Sequence, residues 1–223
     1  VLLNDIEVSI VHHNRGIRDT LRRTAGRGRY LLNEILRERS YSIVRSAIDR
    51  DLRREVSIQI IEPDGFRDDE DRYRFILNAQ IPAQLEHPCI QPVYDMGLDP
   101  DGRVYIVKKR VRGRSLMDIL LALYDRDEAA IWQYTLMDLM LIYLRILDAV
   151  AHAHDHEVHH RFLTPDQVLV DKRGQVTVMD WELARVVGQT DLQAGQIERM
   201  IRDDLFYSPL RRDHLFGPPS YLA

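Results

Sequence analysis

The chain has 223 residues, 45% hydrophobic and 30% charged, which is enough apolar sequence to bury a sizeable core and enough charge to face water. Its 31 Lys and Arg stand against 35 Asp and Glu, and the net charge of −4 excludes a protein that holds nucleic acid through overall positive charge. With Cys89 as the single cysteine, an internal disulfide is excluded and a reducing, cytoplasmic setting is expected.

In chain order, residues 1–29 carry a basic stretch from Arg18 to Arg29, expected to be a solvated leader into the first strand, with docking of an acidic partner as the other reading. The most apolar segment lies around Leu136 to Val150. Asp138, Arg145 and Asp148 interrupt it, so it is too polar to span a membrane. Its residues Leu136, Leu139, Met140, Tyr143, Leu144, Leu147 and Val150 recur at helical spacing, which predicts a buried amphipathic helix. His152 and His156 follow at a spacing of four, a spacing that also suits two metal ligands, but structural histidines are the expectation here. Pro165 removes a backbone donor and biases Thr164 toward an extended conformation, so residues 160–166 read as a loop. That loop leads into Gln167-Val-Leu-Val and Gln175-Val-Thr-Val-Met, two β-branched runs joined by Asp171-Lys-Arg-Gly, the pattern of a paired hairpin. No signal-peptide pattern, internal repeat or low-complexity tract is evident.

The loop and hairpin carry a resemblance. His160-Arg161-Phe162-Leu163-Thr164-Pro165-Asp166-Gln167, followed by the hairpin and Asp180-Trp181-Glu182, resembles the catalytic and metal-binding loops of bacterial serine/threonine protein kinases, H-R-D-L-x-x-x-N and then D-F-G or D-W-G. The resemblance extends upstream. Tyr30 to Ile61 is similar to the first three strands, with Val56-Ser57-Ile58-Gln59 at the V-A-I-K position, and Arg74 to Ile90 is similar to helix C and the following H-P-N-I turn. Tyr105 to Leu116 resembles the fifth strand, hinge and start of helix D, Leu136 to Val150 falls at helix E, and Gly217 to Ala223 resembles the run into A-P-E.

The resemblance implies an α+β, two-lobe fold: an antiparallel small-lobe sheet with helix C over residues 30–107, a hinge over 108–114, and a mainly helical large lobe from 115, incomplete at Ala223. Beginning at Val1 without Met and ending before Pro-Glu, the chain reads as a fragment. As a whole polypeptide it would lack the helices that cover helix E and would leave an apolar face exposed.

At nearly every position that the resemblance marks for chemistry, another residue stands. The glycine-rich loop is Arg37-Glu38-Arg39-Ser40-Tyr41-Ser42, whose side chains prevent backbone amides from closing over phosphates. Arg37 and Arg39 are expected to be ordinary exposed residues, with phosphate contact through their guanidinium groups as the other reading. Gln59 replaces the phosphate-gripping Lys and Asn78 its Glu partner, so the ion pair of the active state cannot form. Pro82, four residues after Asn78, is predicted to kink or end helix C. Phe162 replaces the general base, Thr164 the Lys two residues on, and Gln167 the Asn that binds the second metal.

Asp180 keeps its expected type, while Glu182 replaces the Gly after it. Asp180 is expected to be a hydrogen-bonded loop carboxylate, with weak holding of Mg²⁺ as the other reading. A nucleotide cleft, if ATP enters between the lobes, would use Arg37, Arg39, Lys108, Lys109 and Val111. The Lys108 ammonium is expected to reach solvent or a carboxylate such as Asp180 or Glu182, the alternative being that it points into the cleft and replaces the charge missing at Gln59. His160 is expected to pack against Trp181, and Arg161, which receives an activation-loop phosphate in the family, to be idle. Thr190 and Ser208 are weak phosphoacceptor candidates. The resulting expectation is a catalytically inactive signalling or scaffold module with protein partners and no nucleic-acid or membrane contact. A phosphotransferase with rearranged phosphate and metal ligands is the alternative.

Overall fold

The computed structural model describes residues 29–38, 42–61, 75–76 and 79–188. Arg39, Asn78, Thr190, Ser208, the run Gly217 to Ala223 and the leader before Arg29 lie outside these residues. The chain divides into two compact units between Arg112 and Gly113.

The first unit is an antiparallel sheet of β1 (Tyr30–Glu38), β2 (Ser42–Asp49), β3 (Arg54–Ile61), β4 (Val93–Leu98) and β5 (Val104–Lys109), ordered β1-β2-β3-β5-β4. Strand β3 shows why. Its Val56, Ile58 and Ile60 alternate with Ser57 and Gln59, and a period of two sends the apolar set to one face. There they pack with Ala47, Tyr105 and Val107. On the other face Ile61, Val104 and Ile106 pack against Phe75, Ile76 and Ala79. Residues 79–83 are helical, and the helix stops one residue after Pro82, where Leu85 N–H closes a turn onto the Pro82 carbonyl at 3.2 Å.

Arg29 is not a solvated end of the leader. Its guanidinium donates to both carboxylate oxygens of Asp49 at 3.2 Å and to Asp95 at 3.1 Å, while Tyr30 Oη donates to Asp95 at 3.0 Å. Asp49 is fully buried and also accepts the N–H groups of Asp51 and Leu52 in the turn to β3. Burial pushes its carboxyl up, but Arg29 and the turn N–H groups outweigh this and hold it below the ordinary carboxylate range. Burial, reinforced by Asp95, raises the Tyr30 hydroxyl. Sequence reading missed this network because nothing local marks Asp49 or Asp95 as partners of a residue at the start of β1.

The second unit contains β6 (Arg114–Ser115), α1 (Leu116–Tyr124), α2 (Glu128–Gln133), α3 (Leu136–Asp155), β7 (Val158–His159), β8 (Val168–Val170), β9 (Val176–Val178) and β10 (Arg185–Val186), with 3₁₀ turns at Pro165–Gln167 and Trp181–Leu183. Strands β6, β8 and β9 form one antiparallel sheet, and β7 pairs with β10. Reciprocal capping boxes start two of the helices: Ser115 with Asp118 on α1, and Thr135 with Asp138 on α3. The predicted hairpin is β8–β9. Asp171 Oδ1 accepts the N–H groups of Arg173 and Gln175, and Gly174 takes φ +78° to close the turn.

Helix α3 corrects the expected burial. Its buried stripe is Ile142, Ile146, Ala149 and Ala153, at i, i+4, i+7 and i+11, of which Ile142 and Ile146 cluster with Val168, Val170 and Val176, with Leu139 and Val150 at the margin. Leu136, Met140, Tyr143, Leu144 and Leu147, predicted to be buried, are 44–75% exposed. The helix is apolar on two sides, and periodicity alone cannot say which side the rest of the unit covers. Among the described residues no helix is long and apolar enough to cross a membrane.

Candidate functional site

The site positions fall in both units. In the first, strand register places Ser42, Ser57, Gln59 and Lys108 on one face of the sheet, since Ser57 lies opposite Lys108, Gln59 opposite Ile106, and Ser42 opposite Ile61. Lys108 Nζ donates to Gln59 Oε1 at 2.8 Å, and Gln59 Nε2 donates to Ser42 Oγ at 3.3 Å. Gln59 and Ser42 are 2% and 1% exposed, while Lys108 is half-buried. The expectation for Lys108 names solvent or a carboxylate; within the first unit its ammonium meets the amide of Gln59. The physical reason is register. A residue on β5 directly opposite Ser57 shares its face with Gln59, one pleat away, and four methylenes span that gap.

Lys109 ends β5, its N–H bonded to the Pro92 carbonyl and its own carbonyl accepting Gln91 Nε2 at 2.9 Å. Val111 is half-buried. Arg37 is exposed on β1 opposite Val44, beside a register shift. The basic run after β5 is tied down within the protein: Arg112 reaches Glu55 at 2.6 Å, Arg110 lies 3.7 Å from the same carboxylate, and Arg114 donates to the Asp118 carbonyl. Sequence reading overlooked Val44 and Ser57. The signal was available, because Val44 follows Ser42 at the spacing of the Val in G-x-G-x-x-G-x-V, and Ser57 takes the Ala position of V-A-I-K.

In the second unit the loop between β7 and β8 presents Phe162 at the general-base position, and its ring is 8% exposed. Gln167 is 2% exposed and turned back on its own loop: its Oε1 accepts the Thr164 N–H at 2.7 Å and the Thr164 hydroxyl. The longer side chain suits this role. It closes a capping box over the Pro165–Gln167 turn, with Pro165 at the first turn position where an N–H is not required. The Gln167 carbonyl accepts Met179 N–H at 2.8 Å and so ties this loop to the end of β9.

His160 is buried, its Nε2 donating to the Met179 carbonyl at 2.9 Å and its ring 4.5 Å from that of Trp181. Its Nδ1 is buried with no partner among the described residues, and burial lowers the pKa of the imidazole, which is therefore neutral near pH 7. Asp180 sits in the left-handed region at φ 58° and ψ 51°, and Arg161 at φ 68°. Asp tolerates this conformation better than Arg does. His156 Nδ1 donates to the His152 carbonyl at 2.8 Å. Among the described residues no three His, Cys, Asp or Glu side chains converge as metal ligands. A two-cation set does not fit the residues present, because Asp180 is matched with an amide already turned onto Thr164.

The sequence profile described as the protein kinase domain matches residues 30–209. Among curated proteins, the chain is 35% identical over 166 residues to serine/threonine-protein kinase PksC of Streptomyces coelicolor, covering 71% of this chain and 29% of that one. It is 32% identical over 184 residues to PknB of Mycolicibacterium smegmatis (81% and 28%). It is also 31% identical over 168 residues to PrkC of Bacillus subtilis (74% and 24%). The matched part thus spans between 24% and 29% of the length of these relatives.

Proposed function

Because the chain belongs to the protein kinase family, with bacterial serine/threonine kinases among its relatives, we propose that it is a kinase-fold module that binds partners without transferring phosphoryl groups. The observation that carries this reading is the pair of substitutions on one loop. A buried aromatic ring, Phe162, stands where a proton acceptor is needed, and Gln167 spends its oxygen on Thr164 where a metal ligand is needed. Losing the general base costs roughly 10²- to 10⁴-fold. Losing an electrostatic clamp costs about another 10²- to 10³-fold, with the two effects not strictly additive. From a starting rate of about 1–100 per second, transfer by the usual route falls out of a useful range.

Interaction then rests on surfaces freed from catalysis, with a protein as the partner, in a reducing compartment that suits the buried free thiol of Cys89. The test is phosphotransfer from radiolabelled ATP, with Mg²⁺ and with Mn²⁺, to casein and to the chain itself. No incorporation above a blank is expected. Incorporation that scales with protein and vanishes in Asp180→Ala would overturn the reading.

A further inference from the structure

We infer that Arg45 holds a double bulge in β1, and that this bulge keeps an apolar border strand from pairing with β1 of a second copy of the chain. Among the described residues β1 lies at one border of its sheet, and its Leu31, Leu32 and Ile35 are 47%, 39% and 51% exposed. A flat border of this kind is a template: its outward N–H and C=O groups can take up another strand, and exposed apolar side chains add burial to the pairing. Two copies of one edge can meet antiparallel about a two-fold axis, so that every contact is made twice. The register of β1 works against this. From Leu32 to Ile35 it advances three residues while β2 advances two, from Ala47 to Arg45, and from Ile35 to Arg37 it advances two while β2 advances one, to Val44. Each extra residue bends the strand and increases its twist, so a straight partner cannot follow it along its length.

The first bulge is held from the neighbouring strand. Among the described residues Asn33 and Glu34 have none opposite them in the β2 register. Arg45, which lies opposite Ile35, fills that gap with its side chain: Nε donates to the Asn33 carbonyl at 3.0 Å and Nη2 to the same oxygen at 2.6 Å. A guanidinium is planar and fixes its donors at a set angle, so two bonds to one oxygen define where that carbonyl lies. Straightening β1 to meet a new strand residue for residue would move Asn33 and break both bonds. An alkyl side chain at position 45 would leave the carbonyl to water, which satisfies it in any strand geometry and therefore holds no bulge. Arg45 also carries a positive charge from β2 to the border strand, and charge is itself one of the devices that blunt a sheet edge. The inference is independent of whether the chain transfers phosphoryl groups.

The test compares the parent full chain, Arg45→Ala, and Arg45→Ala with Ile35→Lys, at one concentration and temperature, by light scattering, urea denaturation and hydrogen exchange of the β1 amides in the associated fraction. Arg45→Ala is expected to associate faster than the parent by about three- to tenfold, the factor that one exposed hydrogen bond to a charged group contributes to the population of straightened strand. The β1 amides are expected to gain protection as association proceeds. Ile35→Lys on the Arg45→Ala background is expected to return the rate to that of the parent at an unchanged urea midpoint, because a Lys on the border opposes pairing whatever the strand geometry. The inference is overturned if Arg45→Ala associates at the parent's rate, if the second substitution leaves the faster rate in place, or if association proceeds with the β1 amides unprotected, as general destabilisation would give. A rate that returns only together with a recovered urea midpoint overturns it equally.

Discussion

The side-chain oxygen of Gln167 accepts the backbone N–H of Thr164 at 2.7 Å, which turns a position associated with metal binding into the clamp of a 3₁₀ turn. Replacing Gln167 with Ala leaves that N–H and the Thr164 hydroxyl without their acceptor in a half-buried place. A loss of about 1–3 kcal/mol is expected in urea denaturation. Gln167→Glu, which keeps an acceptor, should recover part of it; equal losses in both variants would mean that packing, not the cap, matters.

A carboxylate placed at Phe162 is not expected to yield phosphotransfer. Phe162→Asp exchanges a buried ring for a carboxylate with no arranged partner, and a loss of roughly 3–5 kcal/mol is expected. Phosphotransfer stays at background, because Gln167 and Gln59 are unchanged. A Phe162→Asp variant as stable as its parent would show that the ring position is open to water.

Asp49 anchors the small sheet, and removing its charge leaves the Arg29 guanidinium without its bidentate partner. Asp49→Asn is expected to cost roughly 3 kcal/mol. The pH dependence has a definite sign. The folded-state pKa lies below the unfolded value of about 3.9, so the contribution is complete above that value and is lost as pH falls through the folded one. Acid denaturation of the parent and of Asp49→Asn should therefore converge at low pH, and a constant gap between the two curves would contradict this.

His160 predicts a second acid effect at higher pH. Burial lowers its pKa in the folded state, so the unfolded chain takes up the proton first as pH falls below about 6.5. Its contribution is present above that pH and is lost on acidification through the folded value. His160→Phe keeps a ring against Trp181 and removes the titration. Between pH 7 and pH 5 the parent should lose more stability than this variant, and parallel profiles would refute the assignment.

Gly113 meets Val170 at close range: a Cβ built there would lie 2.4 Å from the Val170 carbonyl oxygen, which is backbone and cannot swing aside. Gly113→Ala should cost about 1–3 kcal/mol by prising β6 from β8. Loss of protection at the Arg114 and Ser115 amides in hydrogen exchange would locate the damage, and unchanged protection there would rule the mechanism out.

How much of this was legible in the sequence differs by residue. The β8–β9 hairpin was plain, because two β-branched runs flank a loop with Asp171 and Gly174 at turn positions. The end of the helix near Pro82 was also readable, since a missing donor acts locally. The substitutions at Gln59, Phe162 and Gln167 were visible by type, but what each does instead was not. That Gln59 holds Lys108 depends on the lateral register of β3 and β5, residues separated by 49 positions. The buried stripe of α3 could not be chosen from periodicity when Ile142 and Leu144 both lie on apolar stripes. The Arg29 network was invisible because an Arg in a basic run looks the same whether it faces water or a buried Asp.

That network has a further consequence for the sheet as a mechanical object. Strands β1 and β4 are its two borders, four places apart in the order, yet Arg29 and Tyr30 at the start of β1 both grip Asp95 on β4. The borders are clasped at one end into a ring, so fraying that would begin independently on either border must first open the same latch. Strands with no backbone ladder between them then loosen together, and an unpaired border is also less available there as a template for another chain.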